Sequence, residues 1–97
     1  MNDHTMTRHA QIRSQQRGIP VTVQTWLVQY GDRVHDHRGA VLRFFSKRSL
    51  RRLERVEGAP SMRALSKHLR CYMVQAVDDG AIITMGIRHA GRRINRI

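Results

Sequence analysis

Apolar positions along this chain follow two rhythms, one helical and one extended, and the changes between them mark out its elements. Val23, Trp26, Leu27 and Tyr30 recur at i, i+3, i+4 and i+7, the spacing of a buried helical stripe. They predict a helix that begins around Ile19-Pro20, with Pro20 near the first helical position, and stops at Gly31. Trp26 and Tyr30 share that stripe with aliphatic residues, so they are expected to pack in the core rather than stack on bases. Upstream, Thr5 or Thr7 can cap an earlier helix running to about Arg17 and closed by Gly18. Only Ala10 and Ile12 give it an apolar side, too little for a deeply buried element. Leu50, Leu53 and Val56 predict the inward face of a third helix, capped by Ser46 or Ser49 and broken at Gly58-Ala59-Pro60. Met62, Leu65 and Leu69 predict a fourth over 61–69.

Elsewhere the pattern is extended. The run 40–45, Ala-Val-Leu-Arg-Phe-Phe, has the bulk and length of a central strand apolar on both faces, and the polar segment 32–39 before it reads as a connection. Residues 71–77 and 81–87 are β-rich runs joined by Asp78-Asp79-Gly80, a strong hairpin signal. With Asp79-Gly80 at the turn centre, Ala76 faces Ile83, Val74 faces Met85 and Tyr72 faces Ile87 on the core side. That register leaves an accessible strip ending at Thr84, Gly86 and Arg88.

Together these elements predict an α+β domain: two N-terminal helices and a central helical segment packed on a small antiparallel sheet that ends in a C-terminal hairpin. The 97 residues suit one domain, 1–97, with a basic C-terminal arm over 89–97. A chain of this length buries about 60 to 65% of its unfolded surface, enough for one small core. Its one cysteine, Cys71, excludes an internal disulfide or a thiolate metal cage and suits a reducing compartment. No apolar run reaches the roughly 18 residues needed to cross a bilayer, and the first seven residues contain no apolar stretch. A cytoplasmic protein with no membrane partner is expected.

Charge shifts attention from fold to partner. Sixteen arginines and two lysines stand against seven acids, a net charge of +11. Such a charge repels itself in a small folded domain and draws polyanions, with nucleic acid the commonest. Guanidinium forks can hold a phosphate bidentately, as an ammonium cannot. His9, Arg13 and Arg17 fall at i, i+4 and i+8 and share one helical face. Arg48, Arg51, Arg52 and Arg55 form an outward stripe on the third helix, with only Glu54 and Glu57 near it. Arg88, Arg92, Arg93 and Arg96 follow in the tail with no acid between them. These groups are expected to gather on one continuous surface that takes a sugar–phosphate chain.

The most suggestive cluster for chemistry is His35-Asp36-His37, because alternation along an extended chain points both imidazoles to one side. A metal site needs at least a third ligand, and no HExxH or similar spacing is present, so no metal or cofactor is expected. The metal-free alternative is general acid–base work on RNA. A neutral imidazole takes the proton of a ribose 2′-hydroxyl, a protonated group serves the leaving oxygen, and arginine holds the phosphate. His35 and His37 are the candidate proton-transfer groups, with His9 as a substitute, and Arg13, Arg17 and Arg88 as phosphate-binding groups. No glycine-rich phosphate loop or GxSxG is present.

His9, Arg13, the run Gln16-Arg17-Gly18-Ile19, the helix ending at Gly31, and Ile82-Ile83-Thr84 followed by glycine and basic residues resemble a widespread family of small bacterial proteins. That family is similar to the RelE-like toxin and ribonuclease superfamily. The resemblance implies two helices against a small antiparallel sheet, with RNA bound across the sheet's open face. The chain departs from the simplest pattern by a helical segment of about 20 residues between its first clear strand and its hairpin. The resemblance thus implies a metal-independent endoribonuclease, with RNA preferred to DNA and a possible acidic antitoxin as partner. The alternatives are a non-catalytic RNA- or DNA-binding module and a mobile-element-encoded inhibitor that uses its basic surface on an acidic protein.

Overall fold

The computed structural model describes residues 6–88. Thr7 begins the fold by serving two elements at once. Its hydroxyl accepts the Ala10 N–H at 3.1 Å, capping α1 (Arg8–Arg17), and donates to the Ile83 carbonyl at 2.9 Å, tying that helix to β4 (Ile82–Ile87). Met6 bridges Ile82 in parallel, so part of the outer edge of β4 is covered. Gly18 closes α1 in the left-handed region at φ 62, as its place after the helix predicts. α2 (Val21–Tyr30) follows Pro20 and ends at Gly31. Gly31 has an ordinary φ of −63; it is required because a Cβ there would sit 2.5 Å from the Leu27 carbonyl oxygen.

The sheet is an antiparallel meander in the order β1-β2-β3-β4: β1 (Asp32–His35), β2 (Ala40–Phe44), β3 (Cys71–Ala76) and β4. With the helices it makes an α+β fold, two N-terminal helices and a central helical segment against a sheet ending in a hairpin. β1 replaces the connection expected over 32–39. It is an edge strand whose one apolar residue, Val34, offers no alternation to read, while Arg33 and His35 are exposed.

α3 (Lys47–Glu57) starts in a capping box, the Ser46 hydroxyl accepting the Ser49 N–H and the Ser49 hydroxyl accepting the Ser46 N–H. Leu53 is fully buried and Leu50 packs beside it, but Val56 is exposed rather than inward. The inward position of the last turn goes to Glu57, whose carboxylate accepts the Tyr30 hydroxyl at 2.7 Å. α3 breaks at Gly58 as expected, and Pro60 lies in the first turn of the next helix, α4 (Ala59–Ala64). The helix expected over 61–69 therefore starts earlier and ends at Ala64, followed by a single 3-10 turn, Ser66–His68.

The hairpin register is one residue from the expected one. Cys71 faces Ile87, Met73 faces Met85, Val74 faces Thr84, and after an irregularity Gln75 faces Ile82. The Ala76 N–H donates to Ala81 and the Gly80 N–H to Ala76, so the loop holds the four residues 77–80, with Gly80 at φ 74. The inward side of β3 is consequently Cys71, Met73 and Gln75, not Tyr72, Val74 and Ala76. The irregularity also turns Ile82 inward and leaves Ile83 exposed. One core results, in which Ala10, Val23, Trp26, Leu27, Phe45 and Leu53 from the helical side meet Cys71, Met73, Ile82 and Met85 of the sheet. Arg43 crosses this layer, its Nε donating to Gln75 Oε1 at 2.6 Å and its Nη1 to the Val28 carbonyl at 3.0 Å. Burial, and then the charge of Arg33, lower its pKa. Among the described residues no helix is long and apolar enough to cross a membrane.

Candidate nucleic-acid interface

Strand alternation places Ala40, Leu42 and Phe44 of β2, Tyr72, Val74 and Ala76 of β3, and Thr84 and Gly86 of β4 on the side of the sheet away from the core. Val34 of β1 joins them beside Leu42. None of these residues belongs to the core cluster, and all except Gly86 are half-buried. This side is an open, mainly apolar floor.

Two aromatic side chains stand together at one end of it. Phe44 and Tyr72 are direct cross-strand partners. The Tyr72 ring lies over Gly86, where an added Cβ would come within 2.6 Å of the phenol oxygen. Arg88, just past β4, places its guanidinium carbon 5.7 Å from the centre of the Phe44 ring. Its Nη2 donates to the Phe45 carbonyl at 3.2 Å, while its Nε is buried with no hydrogen-bond partner. Thr84, Gly86 and Arg88 share this side opposite Val74, Tyr72 and Arg70, but the accessible strip expected of them is not formed, because the Tyr72 ring buries Gly86 and leaves Thr84 and Arg88 half-buried on either side.

α1 borders this floor along β4. His9 Nε2 lies 3.0 Å from the Thr84 hydroxyl, placing an imidazole at the rim. Arg13 and Arg17 continue the same helical face, the first half-buried and the second exposed.

The other histidines are elsewhere. His35 is exposed on β1, at the opposite edge of the sheet from the β4–His9 rim and three strand spacings, about 14 Å, from β4. His37 sits in the β1–β2 turn at φ 61, so the chain is not extended through it and the alternation expected to align it with His35 does not apply. Asp36 organises that turn, accepting the N–H groups of Arg38 at 2.7 Å and Ala40 at 3.0 Å, and these bonds hold its carboxyl below the usual carboxylate range. The structure therefore does not bring His9 together with His35 and His37. Cys71 is buried, and desolvation pushes its thiol up to about 12, which removes it as a nucleophile at neutral pH.

The stripe on α3 forms a second basic zone. Arg48, Arg52 and Arg55 line a cleft of about 490 Å³ between α3 and the start of β1, together with Gly31, Asp32, Arg33 and Ser49. Arg51 is exposed on the same helix but outside the cleft. Arg33 was not legible as part of this group, because its strand was not. Among the described residues none of the cleft's four guanidinium groups is in an ion pair, and Asp32 instead accepts the Ser46 hydroxyl at 2.7 Å. The first turn of α3 holds Lys47 and Arg48 and no acid, so two cations face the positive end of the helix dipole, a cost of about 0.3–1 kcal/mol each.

The arginines are thus divided, Arg13 and Arg17 on α1, whose start is tied to β4, Arg33, Arg48, Arg52 and Arg55 at the β1 edge, and Arg88 beside Phe44. The single continuous surface expected from their number is not formed among the described residues. Arg92 and Arg93, in the basic arm, lie outside the described residues. No protein-family model, no curated protein and no solved structure matches this chain.

Proposed function

We propose that this protein binds single-stranded RNA across the open side of its sheet, in the manner of the RelE-like superfamily that its sequence resembles. The observation that carries the reading is the Phe44–Tyr72 pair with Arg88 beside it on a half-buried face of the sheet outside the core. Both rings are half-buried, and a base stacked on an aromatic ring contributes about 1–3 kcal/mol. Arg88 supplies a cation at one end, and Arg13 and Arg17 supply two more beside β4, suited to a phosphate backbone that passes from the platform to the rim. Thr84 and His9 offer a hydroxyl and an imidazole for contact with a ribose 2′-hydroxyl, the group that separates RNA from DNA.

A short oligouridine labelled for fluorescence anisotropy tests this directly. Tyr72→Ala is expected to weaken binding about 5- to 150-fold, the equivalent of one stacked base. Arg13→Ala is expected to flatten the dependence of log affinity on log salt by about one unit without changing base preference. Full-strength binding by Tyr72→Ala and Phe44→Ala alike would overturn the reading.

A second reading rests on the His9–Thr84 contact. Because an imidazole stands at the rim of the same floor, His9 can take the 2′-hydroxyl proton of a bound strand as the 2′-oxygen bonds to phosphorus, while arginine holds the phosphate. The P–O5′ bond breaks and the 5′-oxygen takes a proton from water, a cleavage that needs no metal. Its product is a 2′,3′-cyclic phosphate, formed in excess chelator and lost in His9→Ala. Loss instead in His35→Ala combined with His37→Ala would move the chemistry to the β1 edge.

A further inference from the structure

The cleft at the β1 edge adjoins the proposed RNA platform, since Asp32 in its lining pairs with Phe44, but its chemistry differs. We propose that it is a separate binding site for a polyphosphate group. Arg33 comes from the exposed edge strand, and Arg48, Arg52 and Arg55 come from positions i, i+4 and i+7 of α3. Four guanidinium groups therefore line one space of about 490 Å³. The one carboxylate that shares the space, Asp32, accepts the Ser46 hydroxyl and sets a single negative charge against four positive ones, so the lining keeps a surplus of positive charge. Arg52 is held in place by donating Nη2 to the Tyr30 carbonyl at 2.9 Å, which braces one fork while the others are left for a ligand.

Two features select the ligand. The concentration of unpaired positive charge suits a group carrying several negative charges in a short length, a di- or triphosphate, better than the single charge of each phosphodiester along a strand. The lining contains no aromatic and no aliphatic side chain, so nothing in it can stack on or enclose a base. The site reads phosphates and ignores what they are attached to. The start of α3 strengthens the same preference, since its unpaired N–H groups and the adjacent Arg48 favour an anion there.

Isothermal titration of the whole chain with inorganic tripolyphosphate, at fixed ionic strength, tests the proposal. Saturable one-to-one binding is expected, tighter than for pyrophosphate and much tighter than for sulfate. Arg48→Ala combined with Arg55→Ala is expected to weaken it at least tenfold. Arg63→Ala combined with Lys67→Ala removes the same charge outside the cleft and is expected to change it less than twofold. ATP and GTP are expected to bind alike. Competition by a 5′-triphosphorylated RNA, absent for its 5′-hydroxyl counterpart, assigns the group to an RNA end; absence of competition assigns it to a free polyphosphate. Equal weakening in the two double variants, or no saturable binding, overturns the site. Tyr72→Ala is expected to leave tripolyphosphate binding intact, so failure of the RNA platform and failure of this cleft give separate results.

Discussion

Gly86 is buried although it lies on the open side of the sheet, because the Tyr72 ring covers it. A methyl group there must displace that half-buried ring, whose hydroxyl and two of whose ring carbons would lie within 2.7 Å of it. Gly86→Ala is therefore expected to lower stability by about 1 kcal/mol in urea denaturation. It should also weaken RNA binding as much as Tyr72→Ala does; binding at full strength would detach the platform from Tyr72. Asp36 makes a prediction of the opposite kind, in pH. Its folded pKa lies below the unfolded value of about 4. The stability it contributes is thus present above about pH 4 and is lost as pH falls through the lower, folded value. Asp36→Asn keeps an oxygen for the Arg38 and Ala40 N–H groups, and its stability is expected to fall less steeply with acid below about pH 4. Equal slopes for the two proteins would remove Asp36 from the acid response.

At the level of elements, the helices with an apolar stripe and a clear cap were readable. α1 and α2 run where Thr7, Gly18, Pro20 and Gly31 indicate, and Ser46 caps α3. What stayed hidden was set by partners distant in sequence. β1 has almost no apolar residue of its own and exists because β2 pairs with it. The register of β3 depends on a four-residue loop and an irregularity that the Asp79-Gly80 pair does not announce. For the site, the clustering of Arg48, Arg52 and Arg55 was legible, whereas the Thr84-Gly86-Arg88 strip was misjudged as accessible and the aromatic pair misplaced, because the slip assigned Tyr72 to the core and hid its ring over Gly86. The join between α2 and α3 was also invisible. The Tyr30 hydroxyl donates to Glu57, and that bond, ahead of burial, raises its pKa. Tyr30→Phe is expected to cost about 1.5–3 kcal/mol by leaving a half-buried carboxylate without its donor. A change below 0.5 kcal/mol in thermal or urea unfolding would assign the join to the apolar contacts alone.

Across the whole molecule, the net charge of +11 sets stability against ligand binding in a measurable way. Salt screens repulsion among the arginines, with a Debye length of about 10 Å at 0.1 M, so Tm is expected to rise as ionic strength increases. The same increase weakens RNA binding, because each counterion released when a phosphate is contacted gains less entropy in more concentrated salt. A Tm that falls with added salt would show that attractive pairs outweigh repulsion. The two responses come from one set of side chains and should run in opposite directions over the same titration.

The meander leaves its two borders unequal. β4 has Met6 laid along it at Ile82, and β1 has no strand beside it among the described residues. Backbone groups on that bare border could template a further strand from another molecule, the usual route to chains of stacked sheets. Arg33, exposed there beside the other guanidinium groups of the cleft, makes two copies repel one another when they meet border to border. The cations that await an anion thus also act as a guard, keeping each sheet four strands wide.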